Sequence, residues 1–282
     1  MLVFLNGRLV AEKQAVVSVF DRAFLLGDGL FETIRIFNSK PFRWQQHWDR
    51  LKHGADFLKI KLPLGQERLR RAALELIRKN RTPDALLRLT LSRGVGVRGY
   101  SPKGANRPTL VMSTHPAPPG GFKKAPTWTL VTSSLRLPAD ERLAGFKSCN
   151  KLPQIMARME ADAVRADEAL LLNTDGFVVE GAASNLFWIK NGTILTSPLA
   201  SGILPGVTRA VALELCRTLK VPVRQKNVRR QELLKADGVF LSLSSWGIVE
   251  ANRLDGKKLK RSPLTRQIAK AYNDLLANES DR

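Results

Sequence analysis

Lys147 lies in Leu143-Ala-Gly-Phe-Lys-Ser-Cys-Asn-Lys-Leu152, an apolar approach that gives way to polar residues and a helix start. An ammonium there is expected to be partly desolvated. Burial lowers the pKa of a lysine, and a neutral amine is the form that condenses with a carbonyl. The same lysine on an open turn would be an ordinary solvated cation, and the neighbouring residues alone admit both. Further along, Val179-Glu-Gly-Ala-Ala-Ser-Asn-Leu-Phe187 places an acid, Glu180, ahead of small residues that leave backbone amides accessible. In Gly202-Ile-Leu-Pro-Gly-Val-Thr-Arg209 a Pro-Gly pair precedes a helix of apolar periodicity. The free amides of Val207 and Thr208, with the Thr208 hydroxyl, would make an anion site suited to a phosphate. Leu243-Ser-Ser-Trp-Gly247 ends a strand with two more hydroxyls, those of Ser244 and Ser245. Taken singly, each motif is equally a glycine turn, a helix cap or a strand end.

The elements that must position these residues can be read from periodicity. Leu2–Leu5 and Leu9–Val10 flank Asn6-Gly7, a pair that tolerates positive φ and predicts a tight hairpin. Leu30–Phe37 alternates apolar and polar residues as a half-buried strand does, and Asn38-Ser-Lys-Pro41 closes it. Trp48, Leu51, Ala55 and Leu58 recur at helical spacing, as do Leu69, Ala72, Ala73, Leu76 and Ile77. Leu86–Ser92 and Pro108–Ser113 read as strands. His115-Pro-Ala-Pro-Pro-Gly-Gly121 breaks both kinds of element, so the chain is divided into a small domain over 1–115, a linker over 116–125 and a larger domain over 126–282. In the larger part, strands at Trp128–Thr132, Glu168–Leu172, Leu186–Ile189 and Val239–Leu243 alternate with helices at Gln154–Arg165, Val207–Leu219 and Leu264–Leu276. Turns at Thr174-Asp-Gly176 and Asn191-Gly192 suggest antiparallel pairing in a mixed α+β, barrel-like arrangement.

Composition bounds the function classes. With 44% hydrophobic and 25% charged residues the chain is globular rather than disordered. No apolar run reaches the roughly 20 residues that cross a bilayer, and the amino terminus has no charged leader followed by an apolar stretch. A cytoplasmic protein without membrane contact is expected. Cys149 and Cys216 are too few for a disulfide framework, and no Cys or His cluster has zinc-site spacing, so no metal is expected. The formal charge of +21 is concentrated at Lys220–Lys235 and Arg253–Lys270, where Asp255 is the balancing acid. Such patches could attract nucleic acid, but a cationic surface that draws in anionic metabolites is the reading preferred, since no nucleic-acid-binding signature accompanies the charge.

In this order and spacing the motifs closely resemble the class IV aminotransferases of fold type IV. That family includes branched-chain aminotransferases, D-amino acid aminotransferases and 4-amino-4-deoxychorismate lyases. The resemblance runs from Asn6 to about Val249. It implies a mixed α/β enzyme with a small amino-terminal domain and a larger barrel-like one, holding pyridoxal 5′-phosphate as a Schiff base on Lys147. Glu180 is then the carboxylate facing the pyridine nitrogen, where an opposite charge typically shifts a pKa by about 1–3 units toward the protonated ring. Arg50, in His47-Trp-Asp-Arg-Leu51, matches the phosphate-binding arginine, and Val207, Thr208 and Ser244, with Ser245, match the remaining phosphate ligands. Ser184 and Asn185 belong to the same cofactor-binding motif. A homodimer is implied by the resemblance alone.

The substrate-facing residues implied are Phe31, Thr33, Arg98 and Tyr100. Gly27-Asp-Gly-Leu-Phe-Glu-Thr33 carries the family's opening motif, with Thr33 where branched-chain enzymes usually have glycine. Ser92-Arg-Gly-Val-Gly-Val-Arg-Gly-Tyr-Ser-Pro102 looks most like aminodeoxychorismate lyases; its glycines permit a mobile loop in which Arg98 could clamp a carboxylate. Leu152 stands where branched-chain enzymes usually have tyrosine. These features favour a lyase that eliminates pyruvate from 4-amino-4-deoxychorismate to leave 4-aminobenzoate for folate synthesis. The alternative is a transaminase of D-amino acids or branched-chain L-amino acids working with 2-oxoglutarate. Thr208 is typical of transaminases.

Overall fold

The computed structural model describes residues 1–118 and 126–281. The chain divides into two compact units, one formed by Met1–Gly120, Phe146–Asn150 and Leu276–Arg282, the other by Gly121–Gly145 and Lys151–Leu275. Of the expected linker, residues 119–125 lie outside the described residues, and His115 and Pro116 still pair as strand residues opposite Leu86 and Ala85. The stretch around Lys147, grouped by the sequence with the larger domain, belongs to the first unit. Its backbone bridges a strand there, and Phe146 joins that unit's core.

In the first unit, β1 (Leu2–Leu5) and β2 (Arg8–Ala11) form the expected hairpin. Asn6 and Gly7 take φ of 48° and 95°, the positive values such a turn requires. A short helix α1 (Arg22–Leu26), not foreseen from periodicity, follows and is capped by the Asp21 side chain. Next come β3 (Gly29–Phe37), β4 (Lys40–Pro41), α2 (Trp44–Leu58), α3 (Gln66–Asn80), β5 (Ala85–Ser92) and β6 (Thr109–Pro116). The sheet order is β2-β1-β6-β5-β3-β4, antiparallel throughout. Alternation sends Leu30, Ile34 and Ile36 of β3 with Leu87, Leu89 and Leu91 of β5 onto the helix-covered face, where they meet Leu51, Ala55, Leu69 and Leu76. Phe31, Thr33 and Arg88 therefore face the other way, with Thr33 directly opposite Arg88.

The second unit contains β7 (Thr127–Leu137), α4 (Leu152–Ala163), β8 (Glu168–Asn173), β9 (Val178–Gly181), β10 (Asn185–Lys190), β11 (Thr193–Thr196) and α5 (Val207–Thr218). There follow β12 (Val223–Gln225), α6 (Arg230–Leu233), β13 (Gly238–Leu243), β14 (Gly247–Leu254), β15 (Lys257–Lys258) and the last helix, α7 (Pro263–Asp281). Strand β9 pairs with both β8 and β10, so β9-β8-β7-β14-β13-β10 closes into a ring, a true small barrel. Pairing is not wholly antiparallel as expected. β7 runs parallel to β8, for which α4 provides the crossover that parallel neighbours need, and parallel to β14 as well. β7 also extends past Thr132 to Leu137 through a shift in register, a continuation that the polar pair Ser133-Ser134 concealed. All six residues of β8 and of β13 are buried, which accounts for the apolar runs Ala169–Leu172 and Val239–Leu241. The ring's closing pair is Glu180 and Asn185.

Candidate active site

Lys147 is carried on a strap laid against β3. The Phe31 amide donates to the Lys147 carbonyl and the Cys149 amide to the Gly29 carbonyl, both at 2.9 Å. Phe146 anchors the strap by stacking on Phe57 with ring centroids 4.2 Å apart. Held in this way, the half-buried Lys147 places Nζ 4.5 Å from the centroid of the Phe31 ring. The Arg88 guanidinium lies 3.5 Å from the centroid of the same ring. Burial lowers the Arg88 pKa from its ordinary range against the opposing influence of Cys149 and Glu32. Among the described residues no carboxylate forms an ion pair with Arg88, and its one side-chain hydrogen bond is a long one from Nε to Thr90 Oγ1, 3.4 Å. A half-buried guanidinium with no acid of its own has the charge and the paired donors to bind a carboxylate.

Arg88 escaped the sequence reading because a charged residue in an alternating strand reads as solvent-facing. Its signal was Leu86-Leu-Arg-Leu-Thr-Leu91, on the same sheet face as Phe31 and Thr33. Phe31 is buried and Thr33 half-buried, whereas Arg98 and Tyr100 are exposed on the loop after β5, Tyr100 by 88%.

On the helix-covered side of β3, Glu32 is enclosed by α2. Arg50 donates from Nε and Nη2 to its two oxygens at 2.8 and 2.6 Å, and His47 Nδ1 lies 2.7 Å from Oε2. Burial alone would raise the Glu32 carboxyl, but the Arg50 charge and hydrogen bonds, aided by His47, outweigh it and hold the pKa at about 2. Burial lowers the His47 pKa, with Glu32 opposing and Arg50 and Lys147 assisting. A neutral imidazole facing a carboxylate carries its proton on Nδ1. Arg50, expected at a phosphate, is thus oriented by Glu32.

In the second unit, Glu180 is buried on β9. Its Oε2 accepts from the Leu204 amide and from Asn185 Nδ2, each at 3.1 Å, and the same Asn185 nitrogen reaches the Leu204 carbonyl at 2.9 Å. Asn185 is therefore a clamp on the acid. Ser184 is likewise committed within the protein, its hydroxyl donating to Glu168 Oε2 at 3.0 Å. Burial raises the Glu168 pKa, against its bonds from the Ala169 amide and from Ser184 and Ala183. Helix α5 begins at Val207-Thr208 after Gly206, with no side chain capping its first turn. A Cβ at Gly206 would come within 2.0 Å of Asn185 Oδ1, so glycine is required for this approach. Ser244 and Ser245 are half-buried in the turn after β13. Gly247, at φ 69°, lies against the Tyr272 ring, where a Cβ would meet Cε1 at 2.4 Å.

The family model described as amino-transferase class IV matches residues 29–254. The D-alanine aminotransferase of Bacillus licheniformis is 30% identical over 285 residues, 99% of this chain and 99% of that one. The branched-chain aminotransferase of Thermoproteus uzoniensis, solved with norvaline, matches with a TM-score of 0.91 at 31% identity, covering 99% of this chain and 96% of that one. The 4-amino-4-deoxychorismate lyase of Pseudomonas aeruginosa matches with a TM-score of 0.85 at 33% identity, covering 97% and 98%. One fold thus carries transaminases and a lyase, and likeness of fold does not choose between them. The chain belongs to the class IV aminotransferase family and is a pyridoxal 5′-phosphate-dependent enzyme.

Proposed function

We propose that this enzyme exchanges an amino group between an amino acid and a dicarboxylic 2-oxo acid such as 2-oxoglutarate. The observation that carries the reading is Arg88, a half-buried guanidinium without an acid partner, sharing the Phe31 ring with Lys147. Arg98 offers a second cation on the exposed loop, so two carboxylates can be recognised. The relatives that match nearly full length include a D-alanine aminotransferase and a branched-chain aminotransferase.

The residues present fit the cofactor. An uncapped helix start, reached through a glycine that no larger residue could replace, suits a phosphate, and a clamped carboxylate suits a protonated ring nitrogen. When bound, pyridoxal 5′-phosphate supplies an electron sink for the pair released on breaking the substrate Cα–H bond. Lys147 Nζ would hold the cofactor and, when free of it, would serve as the base and then the acid that moves that proton. Glu180 would face the ring nitrogen and favour its protonated form, and Asn185 and the Leu204 amide hold the Glu180 carboxylate in place. In the second unit the Val207 and Thr208 amides, the Thr208 hydroxyl and Ser244 with Ser245 would hold the phosphate, and the family resemblance assigns Arg50 the same role. Arg88 orients a substrate carboxylate.

A second reading, elimination of pyruvate from 4-amino-4-deoxychorismate, is favoured by Thr33, a hydroxyl on the Phe31 face directly opposite Arg88. The two are separated by supplying D-alanine or L-leucine with 2-oxoglutarate and, in parallel, aminodeoxychorismate alone. Glutamate formation is the expected result. Release of pyruvate and 4-aminobenzoate without an oxo-acid acceptor, and with no amino exchange, would overturn the transaminase reading.

A further inference from the structure

The glycines of the segment after β5 permit a mobile loop. Its backbone is held by a buried arginine at the start of α1. Arg22 donates from Nη1 to the carbonyls of Gly99 at 3.0 Å and Ser101 at 3.2 Å, and from Nη2 to that of Tyr100 at 2.9 Å. Its Nε is bound to Asp28 Oδ2 at 2.8 Å. Three consecutive carbonyls therefore converge on one guanidinium, whose side chain is only 5% exposed.

The anchoring continues inward. Asp28 is shared with Arg93, which reaches its two oxygens at 2.7 and 3.0 Å and extends to the carbonyls of Leu58 and Lys59 at the end of α2. Burial would raise the Asp28 carboxyl, but hydrogen bonds and charge from Arg93 and Arg22 prevail and lower it. The loop's entry is fixed as well. Asp21 caps α1 and accepts from the Ser92 and Thr109 hydroxyls, and the Arg22 amide donates to the Gly94 carbonyl at 2.9 Å.

Carbonyls at a surface turn are ordinarily hydrated, and burying a charge is unfavourable unless it is paired and fully hydrogen-bonded. Here the buried charge is spent on one face of a turn. The carbonyls of 99–101 are bound to the buried Arg22, while Arg98 and Tyr100 in the same turn are exposed. We propose that Arg22 is a positioning residue, which acts through the backbone of Gly99–Ser101 to preset Arg98 and Tyr100 for a substrate carboxylate. This rests on the reading of Arg98 given above. A preset loop loses less conformational freedom when substrate binds, so the effect falls on substrate affinity more than on turnover.

The test compares the holoenzyme with R22Q, with R22K and with R98A. R22K keeps a charge beside Asp28 but lacks the planar fork that serves three carbonyls, so it remains informative if R22Q folds poorly. Hydrogen exchange in a peptide spanning 97–103 should accelerate about 10-fold in R22K while peptides of α3 stay unchanged. KM for 2-oxoglutarate should rise about 5–10-fold with kcat within about twofold. A purely structural Arg22 would lower the melting temperature and kcat with KM unmoved. Unchanged exchange in both Arg22 variants overturns the proposal, and so does faster exchange with unchanged KM. In the latter case R98A identifies the failed premise: an unmoved KM there faults the reading of Arg98, and a raised one faults the linkage through Arg22.

Discussion

At the scale of single residues, the candidate site depends on two cations that meet one aromatic ring. Lys147 must be able to lose its proton, and Arg88 must not. An arginine keeps its charge under burial where a lysine readily yields it, so each residue type suits its proposed task. Replacing Lys147 by alanine should abolish amino exchange and remove the visible absorption that borohydride bleaches in the wild-type protein. A yellow, active K147A preparation would end the assignment. Replacing Arg88 by glutamine removes charge-assisted hydrogen bonds worth roughly 1.5–3 kcal/mol. KM for 2-oxoglutarate should then rise at least about 10-fold, with the far-ultraviolet spectrum unchanged. An R88Q enzyme with wild-type KM would place the substrate carboxylate elsewhere. Lys147 and Glu180 were singled out from sequence by the order and spacing of several motifs together, since each motif alone is equally a turn, a cap or a strand end. Arg88 was not, since its meaning comes from the cross-strand register that sets it opposite Thr33.

At the scale of elements, the decisive join is between β3 and α2, where Glu32 binds Arg50 and His47. Glu32 titrates near 2 in the folded protein and near the ordinary value of about 4.3 when unfolded. A depressed carboxyl stabilises the fold fully above its unfolded pKa, and that stability is lost as pH falls through the folded value. The shift corresponds to about 3 kcal/mol. Thermal melts should therefore show E32Q well below wild type at pH 7, by roughly 2–4 °C for each kcal/mol, with the gap narrowing from about pH 5 downward. A gap that stays constant to pH 3 would show that lost packing, not the ion pair, is responsible. Strands β3 and β5 and helices α2 and α3 were legible because one buried face imposes a period of 2 or 3.6. The ring closure at Glu180 and Asn185 was not legible, because no local pattern marks a strand that pairs on both sides, and neither was the strap at Phe146–Asn150, which a distant segment holds in place. For the same reason the glycines after β5 suggested mobility. The arginine that restrains them lies far back in the chain.

At the scale of the whole molecule, the charge of +21 was legible at once, but its local distribution was not. Within the sequence the basic stretch from Arg253 to Lys270 contains a single acid, Asp255. In the structure Arg261 pairs with Glu250, Lys260 with Asp237 and Lys270 with Asp274, while Asp255 serves Arg230. Acids brought by neighbouring strands and helix turns thus relieve the densest basic segment, which weakens the case for a phosphate-backbone footprint. The net excess remains and acts as a diffuse field. Such a field concentrates anions around the molecule and raises their encounter rate, while leaving a zwitterion of no net charge nearly unaffected. Salt shortens its reach to about 8 Å at physiological ionic strength. For 2-oxoglutarate, kcat/KM should accordingly fall several-fold between about 20 and 300 mM sodium chloride, whereas for the amino-acid substrate it should hold nearly constant. Equal salt dependence for both substrates would point to an effect on the protein itself. A flat profile for the dianion would mean that the positive surface takes no part in its capture.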